Sequence, residues 1–267
     1  MLLGMKFVEP IERTLNSKFK FRCHKDISCF NKCCRLTDIL LTPYDILRMK
    51  KRLGISSEEF LKKYTYIHID EKSSHPYAVL KMMDDNEGKC PFVTPEGCSI
   101  YEDRPTNCRY YPVGQGIMIS GSEKESVNKD FYFFIREPNC LGYHEDKEWT
   151  IETWRIEQGV DLYDEMNKEW KEIQLRRDTP GQPKLDQKKQ ALIYMASYNI
   201  DKFRRFIFES HFLDVIDTEE VEKIKADEIA LMKFGFKYLK YVLMLEETLK
   251  VKEEYKKGKH PPVAEGH

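Results

Sequence analysis

The sequence has almost no excess of either charge. Lysine and arginine together number 44, aspartate and glutamate number 45, and the formal net charge is −1 at pH 7. Proteins that bind nucleic acid through its phosphates, or anionic membranes through their surface, usually carry a clear basic excess. We therefore expect no nucleic acid among the partners of this chain.

Long apolar runs are also missing. A membrane-spanning helix needs roughly 20 apolar residues, and no stretch of the sequence approaches that length. In the first residues, MLLGMKFVEPIERTLNSKFKF, the side chains of Glu9, Glu12 and Arg13 interrupt the place where a secretory signal has its apolar core. These absences predict a protein without a membrane span, located in the cytoplasm, whose thiols stay reduced.

Cysteine is absent from residues 141–267, although eight cysteines precede them. Four lie in FRCHKDISCFNKCCR, three in CPFVTPEGCSIYEDRPTNCRYYP and one in EPNCLGYHE. Thiolates are soft ligands that bind zinc, copper(I) and iron–sulfur clusters, and packing gives little reason to concentrate them in this way. The pattern predicts a metal-binding protein. The candidate metal ligands are Cys23, Cys29, Cys33, Cys34, Cys90, Cys98, Cys108 and Cys140.

Disulfides are the main competing explanation, because eight is an even number. They are typical of small secreted domains, whereas a chain of 267 residues is long enough for a sizeable core. Within the first cluster, no pair has the C-x2-C spacing of common zinc fingers, and the C-x2-C-x2-C run of bacterial ferredoxins is absent. The adjacent residues Cys33 and Cys34 reach one metal only through a local kink. Otherwise they serve two neighbouring centres, or one of them ligates and the other packs.

Cations close to the cysteines are a second part of the predicted site. Four thiolates around Zn²⁺ carry a net charge of −2, which nearby basic side chains would balance. Arg104 and Arg109 are the pair that we expect nearest to the bound metal or cofactor. His24 and His144 lie close to cysteines and are alternative ligands, but a surface or core role is favoured for both.

The fold class predicted from the sequence is α+β and predominantly helical. Pro180, Gly181 and Pro183 mark a linker or sharp loop within residues 176–187. We predict a cysteine-cluster metal-binding domain over residues 18–175 and a helical C-terminal extension over residues 184–257. The first domain is expected to contain a β-hairpin, with strands at 117–120 and 131–135 joined by the polar loop GSEKESVNKD.

Helix signals are clearest at two places. Thr42-Pro43-Tyr44-Asp45 predicts a helix start with a threonine cap, and Gly54 predicts its end. Asp217-Thr218-Glu219-Glu220 resembles a capping box before a long amphipathic helix that continues to about residue 255.

Three stretches together resemble a known family. FRCHKDISCFNKCCR, LTPYDILRMKKRLGIS and CPFV…GCSIYEDRPTNCRYYP are similar to the CxxCxxCC family, also called YkgJ-like cysteine-cluster proteins, which are described as zinc- or iron-chelating. The resemblance covers roughly residues 20–145. Its most specific part, CSIYEDRPTNCR, includes Cys98, Arg104, Cys108 and Arg109. The intervals in the first cluster are five and three residues, where the family name has two and two. The resemblance implies a metal-binding domain that holds zinc or an iron–sulfur cluster, the latter of the 4Fe-4S type.

Three functions stay open at the level of the sequence. The chain is an iron–sulfur or zinc protein with a structural or electron-transferring centre, an enzyme that modifies proteins, or a protein that stores or delivers metal. We favour an iron–sulfur cluster, because eight thiols exceed the four ligands of a structural zinc site. Some flagellin lysine methylases carry a similar cysteine cluster, but no G-x-G-x-x-G or C-x3-C-x2-C motif is present. Enzymatic activity is therefore undecided, and the expected partners are the metal or cluster together with a protein partner or protein substrate.

Overall fold

The computed structural model describes residues 7–9, 11–120, 127–179, 181–252 and 255. The chain is 47% helical and 18% strand, with small sheets, as a mixed α+β class requires. The helices are α1 (Pro43–Leu53), α2 (Ser57–Tyr64), α3 (Thr106–Tyr110), α4 (Ile151–Gln158), α5 (Val160–Arg177), α6 (Gln187–Tyr198), α7 (Ile200–Glu209), α8 (Phe212–Val215), α9 (Val221–Ala226) and α10 (Glu228–Val242). The strands are β1 (Lys18–Lys20), β2 (Leu40–Leu41), β3 (Thr65–Ile69), β4 (Pro76–Leu80), β5 (Val93–Thr94), β6 (Gly97–Cys98), β7 (Val113–Ser120), β8 (Val127–Phe134), β9 (Glu148–Thr150), β10 (Ile216–Asp217) and β11 (Lys250–Val251).

The chain forms two compact units, and both are discontinuous in sequence. The first unit consists of Met1–Leu41 and Val79–Glu165, and the second consists of Thr42–Ala78 and Met166–His267. The chain passes between them within β4 and within α5. Residues 42–78, which we included in the cysteine-cluster domain, therefore belong to the second unit by this division. The division into domains at residues 176–187 stays a prediction.

An aromatic core holds the first unit together. Strands β7 and β8 pair antiparallel, with Val113 opposite Phe134, and β1 pairs with β9, with Phe19 opposite Trp149. The predicted strands at 117–120 and 131–135 fall largely within β7 and β8. Of the loop expected between them, residues 121–126 lie outside the described residues. The buried core consists of Phe19, Phe21, Tyr110, Val113, Tyr132, Phe134, Ile151, Trp154 and Val160.

The second unit begins with the helix that the sequence predicts most clearly. The Thr42 hydroxyl accepts a hydrogen bond from the Asp45 N–H at 3.1 Å, and the Asp45 carboxylate accepts one from the Thr42 N–H at 2.8 Å. Gly54 follows the helix in the left-handed conformation, with φ of 67°. Both predicted ends of α1 are confirmed, because each depends on residues only a few positions apart.

The prediction of a capping box at residues 217–220 is wrong. Helix α9 starts after Glu220, whose side chain makes no capping hydrogen bond. The expected long helix is also divided, because Asp227 leaves the helical conformation and its carboxylate accepts a hydrogen bond from the Ile229 N–H at 3.0 Å. This second cap starts α10, which ends at Val242, well short of residue 255.

Gly235 allows α10 to approach α6 closely. A Cβ atom at position 235 would lie 2.7 Å from the carbonyl oxygen of Ala196. This oxygen belongs to the backbone, so it cannot rotate away as the end of a flexible side chain could. The close contact outweighs the gain of about 1 kcal/mol in helix propensity, so Gly235→Ala should lower the free energy of unfolding by about 1–2 kcal/mol. Urea unfolding measures this loss, with Lys233→Ala on the same helix as the control. Equal midpoints for wild type and Gly235→Ala would contradict the close approach.

Candidate metal centre

The first cysteine segment folds into a series of tight turns. Asn31 adopts the left-handed conformation, with φ of 65°, and a short 3-10 turn follows at Lys32–Cys34. The N–H of Lys32 donates to the carbonyl of Cys29 at 2.9 Å, and the N–H of Cys34 donates to the carbonyl of Asn31 at 3.1 Å. This turn bends the backbone at Cys33 and Cys34, which two adjacent cysteines need if both side chains are to reach one metal. The side chains of Cys33 and Cys34 are hydrogen-bonded to each other.

Backbone pairing brings the second cysteine segment to the first. The N–H of Cys90 donates to the carbonyl of Cys34 at 2.8 Å, and the N–H of Leu36 donates to the carbonyl of Gly88 at 2.9 Å. The Asn31 side chain adds a hydrogen bond from Nδ2 to the carbonyl of Thr94 at 2.9 Å. Thr94 lies in β5, which pairs with β6 and places Val93 opposite Cys98.

The loop that contains Cys140 is the third segment. The N–H of Cys140 donates to the carbonyl of Glu137 at 3.0 Å, which closes a turn. The N–H of the next residue, Leu141, donates to the Sγ atom of Cys29 at 3.2 Å. Cysteines that are far apart in sequence therefore meet in one region of the first unit.

The charges of Cys29, Cys33 and Cys140 all act on Cys23, and we call these four residues the four-thiol group. Burial raises the pKa of Cys23 to about 12, and the negative charges of the other three add to that shift. Burial also raises the pKa of Cys140, with further contributions from Cys29 and Cys33. Without a bound cation Cys23 and Cys140 resist deprotonation, because each thiolate would be desolvated and repelled by its neighbours.

Cys34 and Cys90 adjoin the four-thiol group through Cys33. The hydrogen bond with Cys34 is the largest cause of the raised pKa of Cys33, followed by burial. Burial raises the pKa of Cys90, and smaller contributions come from Cys98 and Cys33.

Arg104 lies beside the remaining two cysteines, Cys98 and Cys108. Its guanidinium donates to the carbonyl of Tyr101 and to the Gln158 side chain, each at 2.6 Å, and lies 3.8 Å from the centre of the Tyr101 ring. Burial raises the pKa of the Cys98 thiol, and the positive charge of Arg104 partly offsets that shift. The charges of Cys108 and Cys98 in turn favour the charged form of Arg104, although burial lowers its pKa overall.

Arg109 uses its guanidinium to hold the surrounding backbone. Its Nε atom donates to the carbonyl of Arg104 at 3.2 Å and Nη1 donates to the carbonyl of Gln158 at 2.8 Å. Its Nη2 atom donates to the Tyr163 hydroxyl at 3.0 Å and to the carbonyl of Glu102. Each guanidinium nitrogen thus donates within the protein, which stabilises the fold around α3. The proposed role of Arg104 and Arg109 in cofactor binding stays a prediction.

Sequence reasoning missed two residues beside the four-thiol group. The hydroxyl of Tyr111 donates to Oε2 of Glu137 at 3.3 Å, and its ring packs with Cys140 against the aromatic core. The negative charge of Glu137 acts on Cys33. The tyrosine lies in CRYYP and the glutamate in REPNC, next to cysteines in sequence, and that proximity was the only available signal.

His24 is directed toward carboxylates. Its Nδ1 atom lies 3.3 Å from Oδ2 of Asp26, and its Nε2 atom lies 3.2 Å from Oε2 of Glu145. The role of His24, as a ligand or as a surface residue, stays a prediction.

The donor set fits a soft metal, although the thiols are not arranged as a finished coordination shell. The described part of the chain includes all eight cysteines, and none of them forms a disulfide. In that part, no three cysteine, histidine, aspartate or glutamate side chains are placed for metal coordination. Thiolates are nevertheless the ligands that zinc and iron–sulfur clusters take.

Comparison with known families agrees with the chemistry of this site. Residues 22–141 match the model of the CxxCxxCC family, whose description is "Putative zinc- or iron-chelating domain". We call residues 22–141, which are similar to this family, the CxxCxxCC domain. The match confirms the resemblance seen in the motifs, includes all eight cysteines and supports metal binding. No curated protein and no solved structure matches the chain. Among the described residues, every helix is too short or too polar to cross a membrane.

Proposed function

We propose that the CxxCxxCC domain holds an iron–sulfur cluster through Cys23, Cys29, Cys33 and Cys140. The observation that carries this proposal is the mutual interaction of these four thiols. Cys29 is buried and Cys140 is half-buried, whereas Cys23 and Cys33 are exposed. A cationic centre would replace their protons and remove their repulsion. Because such ligands are deprotonated when they bind, the free energy of metal binding becomes free energy of folding.

Four thiolates suit a 4Fe-4S cluster and a structural zinc ion alike. We propose the cluster because two further thiols, Cys34 and Cys90, lie beside the four-thiol group and leave more soft ligands there than one zinc ion takes. When bound, an iron–sulfur cluster supplies one-electron redox chemistry. We propose electron transfer in the cytoplasm, with a protein as the partner. The protein residues would hold the cluster, exclude water from part of it and direct hydrogen bonds at its ligands.

The test of this proposal is metal analysis of protein purified without oxygen. Iron and acid-labile sulfide in equal amounts, together with a thiolate-to-iron absorption band, would support the cluster. Zinc alone in a colourless protein would contradict the cluster and leave a zinc-binding domain. Absence of metal after reconstitution with iron and sulfide, and also with zinc, would overturn the proposed function.

Serine substitutions test the ligand assignment. We expect Cys23→Ser and Cys33→Ser to lose most of the bound metal, because each removes a member of the four-thiol group. Cys108→Ser should lose much less, since Cys108 interacts with Arg104. Metal content of each variant, purified in parallel with wild type, decides the matter. Loss in Cys108→Ser as large as in Cys23→Ser would contradict the assignment.

A further inference from the structure

We infer that β3 (Thr65–Ile69) is a dimerisation surface, on which a second copy of this chain pairs antiparallel through its own β3. The strand lies in the second unit and contains no cysteine, so the proposed metal centre plays no part in this pairing. A second copy is a partner that neither the cysteine spacing nor the family description assigns.

β3 lies at the end of its sheet. It pairs with β4 on one side, and no second partner strand is found in the described part of the chain. In an end strand, alternate backbone N–H and carbonyl groups point away from the sheet and form a template on which another chain can pair. The outer side of β3 is therefore a place where one more strand can be added.

The side chains of β3 are apolar and exposed at the same time. Tyr66, Ile67 and Ile69 are 44%, 52% and 41% exposed. End strands are commonly protected from pairing by lysine or proline, and the sequence of this strand, TYIHI, contains neither. Single exposed apolar residues are ordinary, whereas three within four residues of an end strand are typical of a surface that another protein covers.

Charged residues of opposite sign flank the two ends of β3. Lys62 and Lys63 precede the strand, and Asp70 and Glu71 follow it. When two copies of the strand pair antiparallel about a two-fold axis, the basic end of each copy lies beside the acidic end of the other. A parallel pair would bring like charges together, which is unfavourable. The flanking charges therefore favour a second, antiparallel copy of the same strand as the occupant.

The same charges favour one register of the pair. When Lys63 is level with Asp70 of the other copy, the two-fold axis passes between Tyr66 and Ile67. Tyr66 of each copy then lies opposite Ile67 of the other copy. Pairs of an aromatic and a β-branched side chain stabilise antiparallel strands, so the apolar contacts and the charges support the same pairing.

Sedimentation velocity of wild type and charge variants tests this pairing. We expect wild type to sediment as a dimer at about 100 μM, because interfaces of ordinary size have dissociation constants in the micromolar range or below. Ile67→Lys should raise the dissociation constant of the dimer about 10- to 100-fold, because it places two lysines beside each other at the two-fold axis. Ile67→Glu should weaken the dimer to a similar extent for the same reason.

Mixing the two variants separates pairing of identical strands from a loss of fold. Lysine on one copy would lie beside glutamate on the other, so an equimolar mixture of Ile67→Lys and Ile67→Glu should restore the dimer. Ile156→Lys is the matched control, because Ile156 on α4 is also exposed, and this variant should dimerise like wild type. A monomeric wild type, an Ile67→Lys variant that dimerises like wild type, or a mixture that stays monomeric would overturn the pairing.

Discussion

Removal of the metal is expected to lower the thermal stability of the CxxCxxCC domain and to change how that stability depends on pH. A ligand present at about 1,000 times its dissociation constant stabilises the folded state by about 4 kcal/mol. For a unit of this size, that difference corresponds to a fall of about 10 °C in the midpoint of thermal unfolding.

The pH dependence follows from the raised thiol pKa values. In the metal-free protein, burial and neighbouring thiols raise the pKa of Cys23 to about 12, and the pKa of Cys33 and Cys140 is raised as well. An unfolded thiol has a pKa of about 8.5. Above that pH the unfolded chain binds fewer protons than the folded one, so the free energy of unfolding falls as pH rises from about 9 to 12.

The loaded protein should show the opposite slope at lower pH. Its ligating thiolates bind no protons, whereas the unfolded thiols are protonated below about pH 8.5. Stability of the loaded protein therefore falls as pH falls. Thermal unfolding of loaded and chelated protein, measured without oxygen between pH 6 and 10, checks both slopes. Parallel curves would contradict the assignment of these thiols as ligands.

Arg109→Met is expected to cost about 3–5 kcal/mol of unfolding free energy, one of the larger effects for a single residue. The guanidinium is 7% exposed and donates to the carbonyls of Glu102, Arg104 and Gln158. Methionine fills similar space but leaves these acceptors without their donor. Arg109→Lys should recover only part of the loss, because an ammonium lacks the planar fork that reaches several carbonyls.

Urea unfolding of metal-free and loaded protein distinguishes two roles for Arg109. Loss of stability in both forms indicates support of the backbone, as its hydrogen bonds suggest. Loss in the loaded form alone would favour the predicted contact with the cofactor. Lys20→Met is the control for removing a cation, because Lys20 pairs with Asp146 on an exposed surface, and it should change little.

Structure that depends on residues close in sequence, such as the start of α1, can be predicted from this chain. Structure that depends on contacts between residues far apart in sequence cannot. The cap at Thr42 needs only Asp45, so the start of α1 can be recognised from four residues. Asp227 also caps its helix through a residue close in sequence, the Ile229 N–H. The motif at residues 217–220 predicted a cap there instead, and that prediction is wrong.

The metal centre shows the same limit. Cysteine type and spacing indicate the chemistry, because soft ligands are rare and their clustering has few other causes. Tyr111 carries no comparable signal, since its hydrogen-bond partner Glu137 lies 26 residues further along the chain. The partners of Arg109 are also hidden, because Gln158 supplies its acceptor from another helix.

Because the first unit is discontinuous in sequence, its two segments are synthesised at different times. Roughly 100 residues of chain, including the whole of residues 42–78, separate Cys34 from Cys140. At a translation rate of about 5–20 residues per second, this interval lasts roughly 5–20 s. During that time Cys23, Cys29 and Cys33 are already part of the chain, but the Cys140 loop, whose Leu141 N–H donates to Cys29, is not yet made. The nascent chain therefore presents these three thiols before the Cys140 loop exists. With the proposed ligand set, the metal would be captured late in the folding of this unit.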